Sequence, residues 1–502
     1  MTPATGWYVA AAVGLAGCGA DGGQVGRAPY DGPWTSASDG TDPSGADQGT
    51  SDDDGADVDD TASSDDDGTP PAGCPGGPAA WTTVVAEVEA YVDAQGGPGA
   101  AVAVVCNGQL AHAAGVGFTH ASGDEPITET TRFQLASVTK MFTGAAAVAL
   151  AEQGVVDLHA PVSDVLGTVG YGHVTLHQLL THTAGYSTAF DVVQSSDLVT
   201  VVLDNANQPL WAPAGAVWNY TNPGFSVAGA VLEMASGTDF GPLVETALFE
   251  PAGMSRATMH VATVLAEGNY AYGHEGSPAA PIPIAPDGSY YASALYGPQG
   301  GAWGSVEDLA RWGEMHLAGG GNVLSAAGAA SLGEFHTRTA DSEQGYGYGV
   351  FVESFYDPTV LTHGGSTPGF LAQWRLVPDL QFGVFVVTNS EWVSPNAIAD
   401  IAMDQYIELG WAGDPPGATV LDDYVGTYTD PYGDLGTITI TSDGVGLTAQ
   451  LGGSSEPMMH QWEDIFTVYH PALGFDINLA FWRGDGAQAQ YMVSIWGVGT
   501  RS

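Results

Sequence analysis

The spacing of apolar positions changes character several times along the chain. From Thr82 to Ala94, apolar residues recur three and four apart, which predicts an amphipathic helix. Ala100 to Cys106 is a continuous apolar run. Gln109 to Val116 follows it across Asn107-Gly108, a dipeptide suited to a tight turn, so the pair reads as a hairpin. The next two hundred or more residues read as mainly helical, interrupted by Gly and Pro. Strand-like runs return at Gly347 to Val352, Gly369 to Val377 and Gln381 to Asn389. Strands at both ends and helices between predict one sheet built from the two ends of the region, with a helical lobe inserted. That is an α+β layered architecture over residues 79–410. After Pro415-Pro416 the pattern becomes all-β. Thr437 to Thr441 alternates and turns at Asp443-Gly444, and Phe475 to Trp482 and Gln490 to Trp496 flank Gly484-Asp485-Gly486. Residues 418–502 therefore read as a small separate β domain.

Two segments precede these domains. Trp7 to Gly17 is apolar but too short to span a bilayer, and it fits the core of a secretory signal over residues 1–18. No Lys or Arg stands before it. Leu15-Ala16-Gly17-Cys18 resembles the lipobox of bacterial lipoproteins, which implies lipidation of Cys18. The expectation is an exported protein, periplasmic or on the outer surface, meeting the membrane only through that N-terminal anchor. Residues 19–78 are rich in Gly, Ser, Pro and Asp, with 14 Asp between 19 and 73. Such a segment cannot bury enough apolar surface to order itself and reads as an extended, self-repelling tether. It contains no calcium-loop pattern.

Charge narrows the choice of partners. The chain carries 57 acids and 9 bases, for a net charge of -48, yet charged residues are only 13% of the total against about 25% in ordinary domains. The imbalance comes mainly from missing bases. A field of this sign repels nucleic acid and anionic membrane surfaces, so no nucleic-acid partner is expected.

Three cysteines are present. With Cys18 lipidated, Cys74 and Cys106 remain as a pair that an exported protein can close as a disulfide, worth about 3–4 kcal/mol in the chain-entropy model. The other reading is a buried thiol at Cys106 on its apolar strand.

One base stands apart. Lys140 is the only lysine in 502 residues, and Ser137 lies three positions before it. Arginine stays protonated under working conditions, whereas lysine can be tuned to lose its proton, so a position that keeps Lys needs something Arg cannot do. The Ala-rich run that follows, stopped at Gly154, predicts a helix with Ser137 at its start and Lys140 one turn on, facing the same way. Burial lowers an amine's pKa from about 10.4. A neutral amine beside a hydroxyl is an activated nucleophile with its base. The bland alternative is a capping Ser and a surface Lys.

Ser137-Val138-Thr139-Lys140 is an S-x-x-K element, and further landmarks follow it in order. They are Leu179-Leu180-Thr181-His182-Thr183-Ala184-Gly185, Tyr220-Thr221-Asn222, Gly300-Gly301 with Asp308-Leu309-Ala310-Arg311-Trp312, and His363-Gly364-Gly365. Together they resemble the serine β-lactamase and penicillin-binding family in its class C-like branch, over roughly residues 79–405. The resemblance implies an acyl-enzyme on Ser137. It implies that Lys140 and Tyr220 share general base and acid work, and that Asn222 orients the substrate amide and Lys140. His363, Gly364, Gly365 and Ser366 would form the edge strand beside the site. The backbone N–H groups of Ser137 and Ser366 would make the oxyanion hole. No metal or other cofactor is implied. His177 and His182 read as structural, and Asp308 with Arg311 as an ion pair at a helix start.

His363 stands where a lysine is common in this family. It implies a weaker, pH-dependent positive charge, and points away from efficient β-lactamase action. The substrates implied are amides or esters related to D-amino-acid peptides, including peptidoglycan-derived ones. Small-molecule esters are the near alternative. A non-catalytic penicillin-binding or scaffold protein is the alternative of a different kind, and it should have lost part of the constellation. The C-terminal module resembles small barrel-like domains appended to such hydrolases.

Overall fold

A computed structural model describes residues 77–501 apart from 124, 187–196, 287–293, 341–343, 412–419, 431–435, 452, 463, 472–474, 484–485, 487 and 495–496. Cys18, Cys74 and the signal and tether segments up to residue 76 lie outside the described residues. Cys106 is disulfide-bonded.

Helix α1 (Gly77–Gln95) forms because Ala80, Val84, Val88 and Val92, four apart, make one buried stripe. The stripe lies on a sheet in which strand β1 (Gly99–Cys106) is buried at every position. Its side chains alternate between two cores. Ala100, Val102, Val104 and Cys106 pack with α1 and helix α5 (Pro395–Tyr406). Ala101, Ala103 and Val105 join the larger core of the helical lobe. Full burial of each valine is worth roughly 1.5–3 kcal/mol.

The other strands are β2 (Gln109–Gly117), β3 (Thr337–Arg338), β4 (Gln344–Tyr346), β5 (Phe351–Glu353), β6 (Val360–Thr367), β7 (Phe370–Val377) and β8 (Phe382–Thr388). They form one eight-stranded sheet in the order β2-β1-β8-β7-β6-β5-β4-β3. The two ends of this domain thus meet at β1–β8, where Ala100 pairs with Thr388 and Val105 with Gly383.

One expectation needs correction. Gly347 to Val352 is not one strand. Residues 347–350 make the turn between β4 and β5, with Gly349 at φ +81°, a conformation that favours glycine. Strand β6 is an edge only along its second half, where the edge was expected beside the site. It is interior at its start, where β5 pairs with Val360 to Thr362, but β5 ends there, and Gly364 to Thr367 pair only with β7 among the described residues.

The helical lobe holds α2 (Thr139–Glu152) and α3 (Asn222–Ser236), while α4 (Val306–Leu317) packs on the sheet. From Thr139 to Leu150 every residue of α2 is buried, so this helix is the middle of the lobe.

Strands β9 (Gly426–Thr429), β10 (Thr437–Ser442), β11 (Leu447–Leu451), β12 (Ser454–Trp462), β13 (Ile465–His470), β14 (Phe475–Trp482), β15 (Tyr491–Ser494) and β16 (Gly497–Arg501) form a closed barrel. Closure comes from the pairs Tyr428–Arg501 and Thr429–Thr500 between first and last strands. Alternation again serves two cores. Phe466, Val468, Leu479 and Phe481 fill the barrel, while Ile465, Ala480, Val493 and Val498 pack into the core of the first domain. Arg338 of β3 fastens this seam. It donates to the Phe481 carbonyl at 2.6 Å, pairs with Asp464 at 3.6 Å and lies 4.7 Å from the Trp482 ring centroid.

The remaining described arginines are also engaged. Arg132 and Arg256 share Glu267, at 2.5 and 3.2 Å. Arg311 pairs with Glu314 at 2.8 Å, and Arg375 pairs with Asp400. Arg483 holds Asp423 and Asp464, and Arg501 donates to the carbonyls of Ala489 and Asp423. The expected Asp308–Arg311 pair is therefore absent. Asp308 turns back to cap its own helix, accepting from the Ser305 N–H at 2.7 Å and hydroxyl at 2.8 Å, and it also accepts from the Arg256 N–H. Arg311, on the exposed face, reaches forward instead.

Candidate active site

Between residues 131 and 150, Ser137 alone is not fully buried. It sits in a single 3-10 turn, Ala136–Val138, that runs directly into α2. The turn is unusual at Ala136, a non-glycine residue at φ +48°. Gln134 holds that conformation. Its side-chain oxygen accepts from the Ala136 N–H at 2.6 Å, and its amide donates to the Gly300 carbonyl.

Residues 298–302 are stitched to the same turn along its length. Leu135 N–H donates to the Ala302 carbonyl at 2.9 Å, Ala302 N–H to the Thr139 hydroxyl at 3.0 Å, and the Thr143 hydroxyl to the Pro298 carbonyl at 2.6 Å. The Gly300-Gly301 landmark thus belongs to a strip of backbone that fixes the start of α2.

Lys140 is completely buried. Its Nζ lies 3.1 Å from Ser137 Oγ, 2.8 Å from Asn222 Oδ1 and 2.8 Å from the Gln299 carbonyl oxygen. All three partners are neutral. Nζ also stands over the face of Tyr220, 4.9 Å from the ring centroid. Ser137, Lys140, Tyr220 and Asn222, spread over 85 residues, are therefore brought together. Gln299 joins them through its backbone, which leaves no side-chain signature in a sequence. The Gly-Gly that follows it was the available signal.

Tyr220 and Asn222 are positioned from beneath. Asn219 N–H donates to the His182 carbonyl at 2.8 Å, Asn219 Nδ2 to the Tyr186 carbonyl at 3.0 Å, and Thr221 N–H to His182 Nδ1 at 3.1 Å. The His182 ring stacks obliquely on Tyr220, centroids 4.3 Å apart. Burial, with Lys140 and His363 nearby, pushes His182 well below its ordinary pKa, so it is a neutral acceptor at Nδ1. His177 stands elsewhere, 2.9 Å from the Tyr348 hydroxyl.

On the opposite wall runs β6. Gly365 lies against the nucleophile turn so closely that a Cβ there would stand 2.3 Å from the Leu135 carbonyl oxygen. Ser366, next along, is the one residue of β6 that is not buried.

His363 departs from expectation. Burial first, then the charge of Lys140, lowers its pKa to about 3. Its Nδ1 is 2.7 Å from the Gly364 carbonyl and its Nε2 is 3.1 Å from the Tyr346 hydroxyl. A carbonyl only accepts, so Nδ1 carries the proton and Nε2 accepts from Tyr346. The imidazole is neutral at working pH and offers no pH-dependent cation. Two consequences are expected. The pH profile of activity has no inflection from His363 between pH 5 and 8. Stability behaves differently, because unfolding frees an imidazole of pKa about 6.5. The unfolded chain then binds a proton that the folded one refuses, so stability falls as pH drops from about 6.5 toward 3. By about pH 5 this one group removes about 2 kcal/mol. Urea unfolding at the two pH values, compared with His363→Asn, should show the variant losing that much less.

Among the described residues, no group of three or more His, Cys, Asp or Glu is placed to hold a metal.

A two-lobed α+β domain with a serine-lysine pair at the start of its central helix defines a class, the β-lactamase-related hydrolases. The chain belongs to the beta-lactamase family, whose model matches residues 84–405. It is 26% identical over 336 residues to a beta-lactamase of Escherichia coli (strain K12), covering 59% of this chain and 85% of that protein. It is 25% identical over 362 residues to a D-aminopeptidase of Cereibacter sphaeroides, covering 70% of this chain and 67% of that protein. Among solved structures, SurE shares the fold with a TM-score of 0.68 at 23% identity, covering 84% of this chain and 99% of that one.

Proposed function

We propose that this chain is a serine hydrolase that forms an acyl-enzyme on Ser137 and acts on amides or esters related to D-amino-acid peptides. The observation that carries the reading is the set of acceptors around Lys140. As an ammonium Lys140 donates to all three; once it gives up one proton, the amine keeps two N–H donors and gains one lone pair. With the N–H groups donated to Asn222 Oδ1 and the Gln299 carbonyl, both at 2.8 Å, the lone pair is left for the Ser137 hydroxyl at 3.1 Å.

The chemistry follows. The Ser137 proton passes to Nζ as Oγ bonds to the substrate carbonyl carbon. The carbonyl π pair moves to oxygen, and the N–H groups of Ser137 and Ser366 receive that oxyanion. Collapse expels the leaving group, which takes a proton through Tyr220 and the Lys140 ammonium. Water then attacks the ester by the reverse proton route. Asn222 holds both Lys140 and the substrate amide.

A D-aminopeptidase among the relatives supports the substrate class. The disulfide at Cys106 supports an oxidising, exported location, with Cys18 as the lipid anchor and peptidoglycan-derived peptides within reach. Small-molecule esters are the second reading, favoured by the neutral His363, which holds no carboxylate.

Intact-protein mass after brief mixing with 4-nitrophenyl acetate tests the reading. The expected result is one acetyl adduct per chain, mapped by peptide analysis to Ser137. A well-folded protein with no adduct and no turnover would favour a scaffold or binding role.

A further inference from the structure

We propose that this site selects against substrates bearing a carboxylate near the scissile carbonyl, and takes neutral esters and amides instead. The inference rests on the acyl-enzyme reading and names the substrate class of that same site.

Every base among the described residues can be placed. The whole chain has nine. Seven are the arginines described above, each committed to carboxylates or carbonyls within the fold or along the barrel seam. The internal stretches outside the described residues contain no Lys or Arg, and Arg27 lies in the N-terminal segment. That leaves Lys140, whose Nζ is directed at Ser137, Asn222 and the Gln299 carbonyl.

The histidines of the site do not fill the gap. His363 and His182 are buried with lowered pKa values, and His363 has both ring nitrogens engaged. The two residues after His363 are glycines, which bring no side-chain donor. The Thr367 hydroxyl accepts from Tyr296 at 2.9 Å and keeps its own O–H, which is a neutral donor and brings no charge. In the proposed chemistry the Ser137 and Ser366 amides receive the scissile carbonyl oxygen. A second anionic group on the substrate would leave water with no cation among the described residues directed at it.

A matched pair of esters tests this on the full-length protein: 4-carbamoylphenyl acetate and 4-carboxyphenyl acetate. They differ in a carboxamide against a carboxylate on the leaving group, and each rate is normalised to its uncatalysed hydrolysis. The carboxamide ester is expected to have a kcat/KM about 10- to 100-fold higher, the worth of one missing charge-assisted hydrogen bond. The preference should persist in about 1 M salt, where charges are screened within about 3 Å. A ratio near one, or a preference for the carboxylate, overturns the inference and leaves the acyl-enzyme reading standing. A ratio that collapses to one in high salt assigns the effect to the net charge of the chain and overturns the argument from the site. Failure of both esters to acylate Ser137 removes the hydrolase reading, and this inference with it.

Discussion

Lys140→Arg is expected to slow acylation by about 1,000-fold, within the range for loss of a general base, while the chain stays folded. The guanidinium can still donate to Asn222 Oδ1 and the Gln299 carbonyl, the two acceptors 2.8 Å from the native amine. It cannot offer a lone pair to Ser137 Oγ at any working pH. The substitution therefore separates charge and hydrogen bonding from basicity. Lys140 is fully buried, so the larger side chain strains its surroundings by about 1–3 kcal/mol. Circular dichroism and a melting curve measure that strain separately. The decisive readout is single-turnover acylation by a neutral activated ester across pH. The native rate should climb as the amine deprotonates, and the variant should stay low and flat. A variant acylating at the native rate would mean that Lys140 is not the base.

Gly365→Ala is expected to cut kcat by about 100- to 1,000-fold, the cost of losing one oxyanion donor, with a smaller effect on KM. The added Cβ meets backbone, the Leu135 carbonyl oxygen at 2.3 Å, and then Ala136 Cβ at 3.3 Å. Neither belongs to a flexible side chain that can swing aside. Strand β6 or the nucleophile turn must move, and either movement carries the Ser366 N–H away from the Ser137 N–H. Gly345→Ala is the control. Its Cβ would first meet the ring of Phe335, an exposed side chain able to rotate away, so near-native kcat is expected. Equal kcat in both variants would separate β6 from the oxyanion site.

The parts of this site that were readable in sequence are those whose side chains carry the chemistry. Ser137 and Lys140 are close in the chain and Lys140 is unique, so helical geometry alone brings them together. Tyr220 and Asn222 stand far off and were legible only through the order of landmarks shared with a family. The Gln299 carbonyl was not legible, since a backbone acceptor has no residue type. Gln134 was missed because its work is to hold Ala136 at a positive φ, which a sequence does not display. His363 was found but given the wrong charge. Its neutrality comes from burial beside Phe351, Tyr220 and Tyr346, which reach it from other strands and loops.

The fold divides in the same way. Hairpins closed by Asn107-Gly108 and Asp443-Gly444 announce themselves locally. The β4–β5 turn hides, because Gly347-Tyr348-Gly349 alternates in size like a strand. Barrel closure through Tyr428 and Arg501 is a long-range pairing, invisible to local periodicity.

The solitary buried lysine also makes the protein its own spectroscopic probe. Lysine labelled with 15N at Nζ, supplied during growth, enters this chain at one position. The resulting spectrum holds a single side-chain amine resonance, and it needs no assignment. Its chemical shift reports directly whether the nitrogen carries two protons or three, in the free protein and again after Ser137 is acylated. Few enzymes let the protonation of one candidate base be read in isolation without removing a competing residue.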